Sequence, residues 1–201
     1  MELLLVSLLG YIIGSIPFAL VIGKGFYPTD VRQHGSGNLG TSNTGRVLGK
    51  KAGIAVMLLD LLKATLSLWL AVKLSDHPLA LACGGVSAAL GHCYPLFANF
   101  RGGKAVATMY GFLLGLWIIA GQSPLTFFLP LAVFLAVLYL FKIVSLASMI
   151  SALTAAGCIW MDEAQLPVMI ATFAFTLLVI VRHWSNIKRI LQGSESKINW
   201  M

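Results

Sequence analysis

Two short segments carry the residue types best suited to holding phosphate. The first, QHGSGNLGTSNTGR at 33–46, contains four glycines, two serines, two threonines, two asparagines and an arginine, with Leu39 its one large aliphatic residue. Glycines let successive backbone N–H groups turn into one concavity, and hydroxyls and amides add donors. The candidate substrate ligands here are Gly35, Ser36, Gly37, Asn38, Thr41, Ser42 and Asn43. The segment is expected to lead into a helix near Asn43, whose N-terminal dipole favours an anion. Arg46 could then place a bidentate fork on a phosphate. A flexible linker would also use glycine and serine, but it would need neither the asparagines nor the arginine.

The second segment, FRGGKAVAT at 100–108, sets Gly102, Gly103 and Lys104 before an apolar helix. It follows the physical logic of a phosphate loop, yet it lacks the GxxxxGK[ST] spacing and a preceding strand. Nucleotide hydrolysis is therefore excluded. The competing reading is a tight turn whose Arg101 and Lys104 serve only to orient the chain. In RHWSN at 182–186, His183 and Asn186 lie one helical turn apart and could face one pocket. An interfacial belt of Arg182, His183 and Trp184 explains the same residues. Ser145 and Ser148, in KIVSLAS, read by spacing alone as serines bonded to their own helix. Asp60 and Lys63 stand at i, i+3 inside an apolar run, where opposite charges are expected to form a structural ion pair. His92 reads as a packed histidine. Cys83, Cys93 and Cys158 show no CxxC or metal-ligand spacing and read as small core residues, so no metal or redox role is expected.

These residues must be positioned by a chain that prefers lipid. Of its 201 residues 58% are hydrophobic and 10% charged, with a mean hydropathy of +0.88. A soluble domain carries about 25% charged residues. The expectation is one all-α, polytopic membrane domain over residues 1–201. Seven segments meet or approach the ~20 apolar residues that a spanning helix needs: 2–23, 53–74, 78–98, 105–121, 124–141, 144–161 and 164–182. Six spans with one re-entrant segment is the alternative. The first run lacks a positive n-region and a small-residue cleavage site, so it reads as a retained span, and Pro17 should kink it. Twelve of the fourteen Lys and Arg fall on one side if the N-terminus is outside and the C-terminus cytoplasmic. Asp162 and Glu163 then lie in an outer loop. The net charge of +7 serves orientation and attraction of anionic headgroups or phosphorylated substrates, not nucleic acid. Every polar, glycine-rich segment falls on the cytoplasmic face.

In this order GSIPFA, GSGNLGTSNTGR, DLLK, GHCYPLFANFRGGKAVAT, VSLAS and RHWSNIKRILQGSES are similar to the motifs of the acyl-phosphate:glycerol-3-phosphate acyltransferases of bacterial inner membranes. The resemblance runs from about residue 10 to Glu195. It implies three cytoplasmic motifs around one site: Ser36 and Arg46, with Asn38 and Asn43, in the first; Gly102, Gly103 and Lys104 as the glycerol 3-phosphate loop; His183 and Asn186 in the third. Glu195 matches an acidic residue held to be structural, and Ser145 matches a serine of the family, which adds it to the candidate substrate ligands. On this reading Ser36, Arg46, Lys104, His183 and Asn186 are catalytic. Family members commonly read GGKGVAT, where this chain has Ala105, and GATNxxR, where it has GTSNTGR. Ala105 is expected to sit in the following helix and be tolerated.

The implied reaction moves a fatty acyl group from acyl phosphate to the 1-hydroxyl of glycerol 3-phosphate, giving lysophosphatidate and phosphate. No cofactor is implied, and the enzyme is expected to act as a monomer in membrane lipid. None of His34, His77, His92 and His183 has an Asp five positions on, so the HxxxxD pair of other acyltransferases is missing. An acyl phosphate has a good leaving group and needs less base strength. Either His183 or a substrate phosphate oxygen could take the hydroxyl proton, with the latter preferred. A small transporter of phosphorylated solutes is the rival class, but transporters often show inverted repeats and polar breaks at midplane, and neither is visible here.

Overall fold

The computed structural model describes residues 1–162 and 164–198, so Glu163 of the expected outer loop lies outside the described residues. Among the described residues there are ten α-helices and no strand. They are α1 (Glu2–Gly14), α2 (Phe18–Phe26), α3 (Thr41–Leu48), α4 (Lys50–Leu74), α5 (Ala80–Cys93), α6 (Val106–Ile118), α7 (Leu125–Phe141), α8 (Val144–Met161), α9 (Leu166–Arg182) and α10 (Trp184–Leu191). Each of the seven apolar segments overlaps at least one of them.

Their lengths are unequal. The α1–α2 pair, α4, α5 with the 3-10 turn that follows it, and α8 are long and apolar enough to cross a membrane. A fifth is added if α9 and α10, bent by 55°, count as one broken span. Helices α6 and α7 are shorter, at 13 and 17 residues. Helix α6 is short because its two ends leave helical geometry: Ala105 before it and Gly121 after it both have positive φ.

Close backbone packing replaces hydrophobic driving force between such helices. A methyl group at Gly14 of α1 would overlap the Ala88 backbone of α5, and one at Gly111 of α6 would overlap the Leu61 carbonyl of α4. Thr65 Oγ1 adds a hydrogen bond to Gly111 O at 2.8 Å. Phe112 and Phe175, both buried, stack with centroids 4.8 Å apart and join α6 to α9. The Tyr110 hydroxyl donates to Pro130 O of α7 at 3.1 Å and also meets Ser151 Oγ of α8. The first span is interrupted at Ser15–Pro17, where proline cannot donate to the preceding turn. The loops after α2 and α5 and the end of α9 come together at one end of the bundle.

Candidate active site

The first polar segment is a built loop. Asp30 caps the short turn Val31–Gln33 and forks the Arg32 guanidinium, with Oδ1 3.0 Å from Nε and Oδ2 2.6 Å from Nη2. The Arg32 bonds hold the Asp30 carboxyl well below the usual carboxylate range. Gly35 and Gly37 take left-handed φ values of 60° and 68°. Inside the curve, buried Asn43 does the fastening. Its Oδ1 accepts from Ser36 N at 2.8 Å, and its Nδ2 donates to Val31 O at 3.0 Å and His34 O at 3.2 Å. The amide of Asn43 is thus turned to the loop itself. Helix α3 begins at Thr41, so Thr41 and Ser42 form its first turn, half-exposed and exposed. Ser36 and Arg46 are exposed, with no side-chain hydrogen-bond partner among the described residues.

The second loop lies alongside. Asn38 Nδ2 donates to Gly102 O at 3.3 Å. Gly102 and Gly103 are glycines for want of space, not for positive φ. A methyl at Gly102 would overlap the His92 and Cys93 carbonyls, and one at Gly103 would overlap the His92 imidazole. Gly103 N donates to His92 O at 3.0 Å. From the other side Arg182 Nε donates to Gly103 O at 3.0 Å and Nη2 to Gly102 O at 3.3 Å, while the guanidinium lies over the Tyr94 ring. Arg182 had no role in the sequence reading beyond orienting the chain. Nothing local marks it, because its partners come from a loop some eighty positions away.

Lys104 joins the third segment. Its Nζ donates to Asn186 Oδ1 at 2.5 Å, and Asn186 Nδ2 donates to Glu195 Oε1 at 2.5 Å. Glu195 also accepts from Ser145 Oγ at 2.7 Å and Arg189 Nε at 2.7 Å. Burial opposes the charge on Glu195, but the bonds from Asn186, Ser145 and Arg189 outweigh it and keep the carboxyl below its ordinary value. Ser145 is therefore bound to the tail, whereas Ser148 bonds to Val144 O of its own helix at 2.8 Å.

His183 sits at the corner between α9 and α10 and is 3% exposed. Its Nδ1 lies 2.7 Å from Val179 O. A carbonyl only accepts, so Nδ1 carries the proton and Nε2 is left as an acceptor. Burial pushes His183 down to about 4; the Val179 bond opposes this and nearby Lys104 adds to it. The imidazole is neutral at pH 7. Burial also lowers Lys104 to about 8, with Glu195 opposing and Arg189, Arg182 and Arg46 reinforcing.

One expectation is corrected. Ala105 is not in the following helix; it precedes Val106 with φ 60° and ψ 10°. Left-handed geometry costs an L residue about 1–2 kcal/mol, which is why glycine suits this position. The Ala105 methyl is fully buried, however, and burying one carbon contributes about 0.8 kcal/mol. The two effects oppose each other. Ala105→Gly is expected to change unfolding free energy by less than about 1 kcal/mol, while Ala105→Val should destabilise by more than that. Denaturant unfolding in lipid or detergent compares the three.

Fold and site define an integral membrane enzyme whose polar groups converge where helices end. The family model described as glycerol-3-phosphate acyltransferase matches residues 4–193. A glycerol-3-phosphate acyltransferase of Listeria monocytogenes is 49% identical, over 100% of this chain and 98% of its own length. One from Geobacillus kaustophilus is 46% identical, over 98% and 96%. Crystal structures of the integral membrane glycerol 3-phosphate acyltransferase PlsY superpose with TM-scores of 0.91 for the glycerol 3-phosphate form and 0.89 for the lysophosphatidic acid form. Both are 34% identical and cover 99% of this chain and 96% of theirs. This chain belongs to the glycerol-3-phosphate acyltransferase family.

Proposed function

We propose that the acyl donor is acyl phosphate and that the chain transfers its fatty acyl group to the 1-hydroxyl of glycerol 3-phosphate. The products are lysophosphatidate and inorganic phosphate, in the first acylation step of phospholipid synthesis. The observation that supports this reading is the buried His183, its Nδ1 bonded to Val179 O and its imidazole pushed down by burial, beside the cations Lys104 and Arg182. A base near 4 is poorly matched to deprotonating an alcohol, so the donor must arrive activated. In an acyl phosphate the leaving group is phosphate, which the cations can receive.

In this scheme the Gly35–Asn38 stretch and Arg46 face the acyl phosphate, and Gly102, Gly103 and Lys104 face glycerol 3-phosphate. His183 Nε2 and the Asn186 amide orient the attacking hydroxyl, whose proton passes to a phosphate oxygen. Arg46 and Lys104 neutralise the two phosphates, and preorganised donors meet the charge that develops in the transition state. Thr41 and Ser42 offer first-turn donors, while Asn43 acts by shaping the loop and Ser145 through Glu195. The chain works as a monomer with seven spans, N-terminus outside, in a bacterial inner membrane, and its site opens to the cytoplasm. Purified protein in lipid, given glycerol 3-phosphate with acyl phosphate, acyl-CoA or acyl carrier protein, is the test. Phosphate release and lysophosphatidate with acyl phosphate alone are expected; turnover only with acyl-CoA would overturn the donor assignment.

The charge state of Lys104 gives a second expectation. Its ammonium is the working form below about 8 and loses its proton above. His183 stays neutral until the pH nears 4. Since kcat/KM reports the free enzyme, it should be level from pH 6.5 to 7.5 and fall by roughly tenfold per unit above ~8. A profile flat to pH 10 would count against a charged Lys104.

A further inference from the structure

The ion pair of α4 does more than close on itself. Lys63 Nζ lies 2.7 Å from Asp60 Oδ1, with the two residues 4% and 1% exposed. The same ammonium donates to Ile16 O at 2.9 Å, in the break between α1 and α2. His92 Nδ1, in the last turn of α5, lies 3.5 Å from Asp60 Oδ1. The imidazole in turn fills the space in which Gly103 would carry a side chain, and its backbone carbonyl holds Gly103 N. A cavity of about 10 Å3 joins Asp60, Lys63 and His92 to Ile16, Leu39 and Gly102. The three side chains therefore reach the helix break and the second loop, and share a small cavity with Leu39 of the first loop.

A pair kept for stability alone fits this poorly. Buried ion pairs are often replaceable by apolar residues without loss, and here Asp60 Oδ2 is buried with no hydrogen-bond partner among the described residues. We infer that Asp60, Lys63 and His92 are positioning residues: a buried seat that fixes the Gly102–Gly103 backbone, and so Lys104, against the break in the first span. This rests on the reading of that loop as the glycerol 3-phosphate cradle. The imidazole sets where the loop lies, Asp60 sets the ring, and Lys63 ties Asp60 to the Ile16 carbonyl.

The test pairs Asp60→Leu/Lys63→Met, which removes both charges together, with His92→Phe, which keeps the ring's volume but not its nitrogens. In lipid, the double variant should keep the unfolding temperature of the unaltered protein. Its KM for glycerol 3-phosphate should rise at least tenfold with kcat changed less than threefold, and amide exchange in residues 100–105 should quicken at least tenfold. His92→Phe should show the same pattern and decides the matter if the double variant does not fold. Unchanged KM and unchanged exchange in the folded variants would overturn the seat. The exchange measurement needs no turnover, so quickened exchange in a protein lacking acyl transfer would support the seat and count against the proposed function alone.

Discussion

Lys104→Met is expected to lower kcat/KM for glycerol 3-phosphate by 10²–10³, about 3–4 kcal/mol of transition-state stabilisation, with little change in unfolding temperature. The side chain is half-buried, so on the proposed scheme its charge acts on the glycerol 3-phosphate with less screening than an exposed lysine's would. It also donates to Asn186 Oδ1, which accepts from no other group among the described residues, so its removal frees the amide that faces the site. The fold itself does not depend on it, because Gly102 and Gly103 are held by Arg182, Asn38 and His92 through backbone atoms. Lys104→Arg should recover only part of the loss, since the planar fork is longer and cannot donate to Asn186 as a point charge does. Steady-state kinetics in lipid, read beside thermal unfolding, check this. A loss below fivefold in the methionine variant would remove Lys104 from the machinery.

Gly102→Ala should be as damaging by a different route. The added methyl would meet His92 O and, at 2.7 Å, Cys93 O, both backbone atoms at the end of α5. Neither can swing aside, so the loop must shift. Overpacking of this kind costs about 1–3 kcal/mol, and a displacement of ~1 Å at the reacting centre can cost 10²-fold in rate. Gly25→Ala is the control, because its methyl would meet nothing within 4 Å. The expected result is a Gly102→Ala protein that still inserts in membranes, unfolds several degrees earlier and retains less than 1% of the rate. Near-normal activity would mean that the loop tolerates a different path past α5.

Much of the scaffold is legible in the chain, and the reasons are local. Apolar runs of sufficient length become helices because the backbone must satisfy itself in lipid. Pro17 interrupts the first of them, and the i, i+3 spacing of Asp60 and Lys63 brings opposite charges together on one turn. Ala105 is different. AVAT continues the apolar helix pattern that follows it, yet Ala105 takes a left-handed conformation just before α6, beside the tightly packed Gly102 and Gly103. Arg182 is likewise silent in sequence, and although His92 reads as packed and Glu195 as structural, the partners of neither can be read there. Their roles come from α5 and α9 lying side by side and from the tail folding back beneath Asn186, and no spacing rule encodes either. Spacing alone ties Ser145 to its own helix and the resemblance makes it a substrate ligand, whereas its hydroxyl donates to Glu195, fifty positions away.

Asn43 has a thermodynamic consequence. Glycine-rich segments have the most conformational freedom to lose when they are ordered, and a cradle made of them would ordinarily lose it on meeting its ligand. Here the curve is set by three hydrogen bonds of one buried amide, which donates to Val31 O and His34 O and accepts from Ser36 N. The entropy of the segment is surrendered when the chain folds, not when substrate arrives. On the proposed scheme, affinity at the exposed Ser36 and Arg46 arises from contact enthalpy, and damage at Asn43 would appear as an entropic loss of binding with every contact still available.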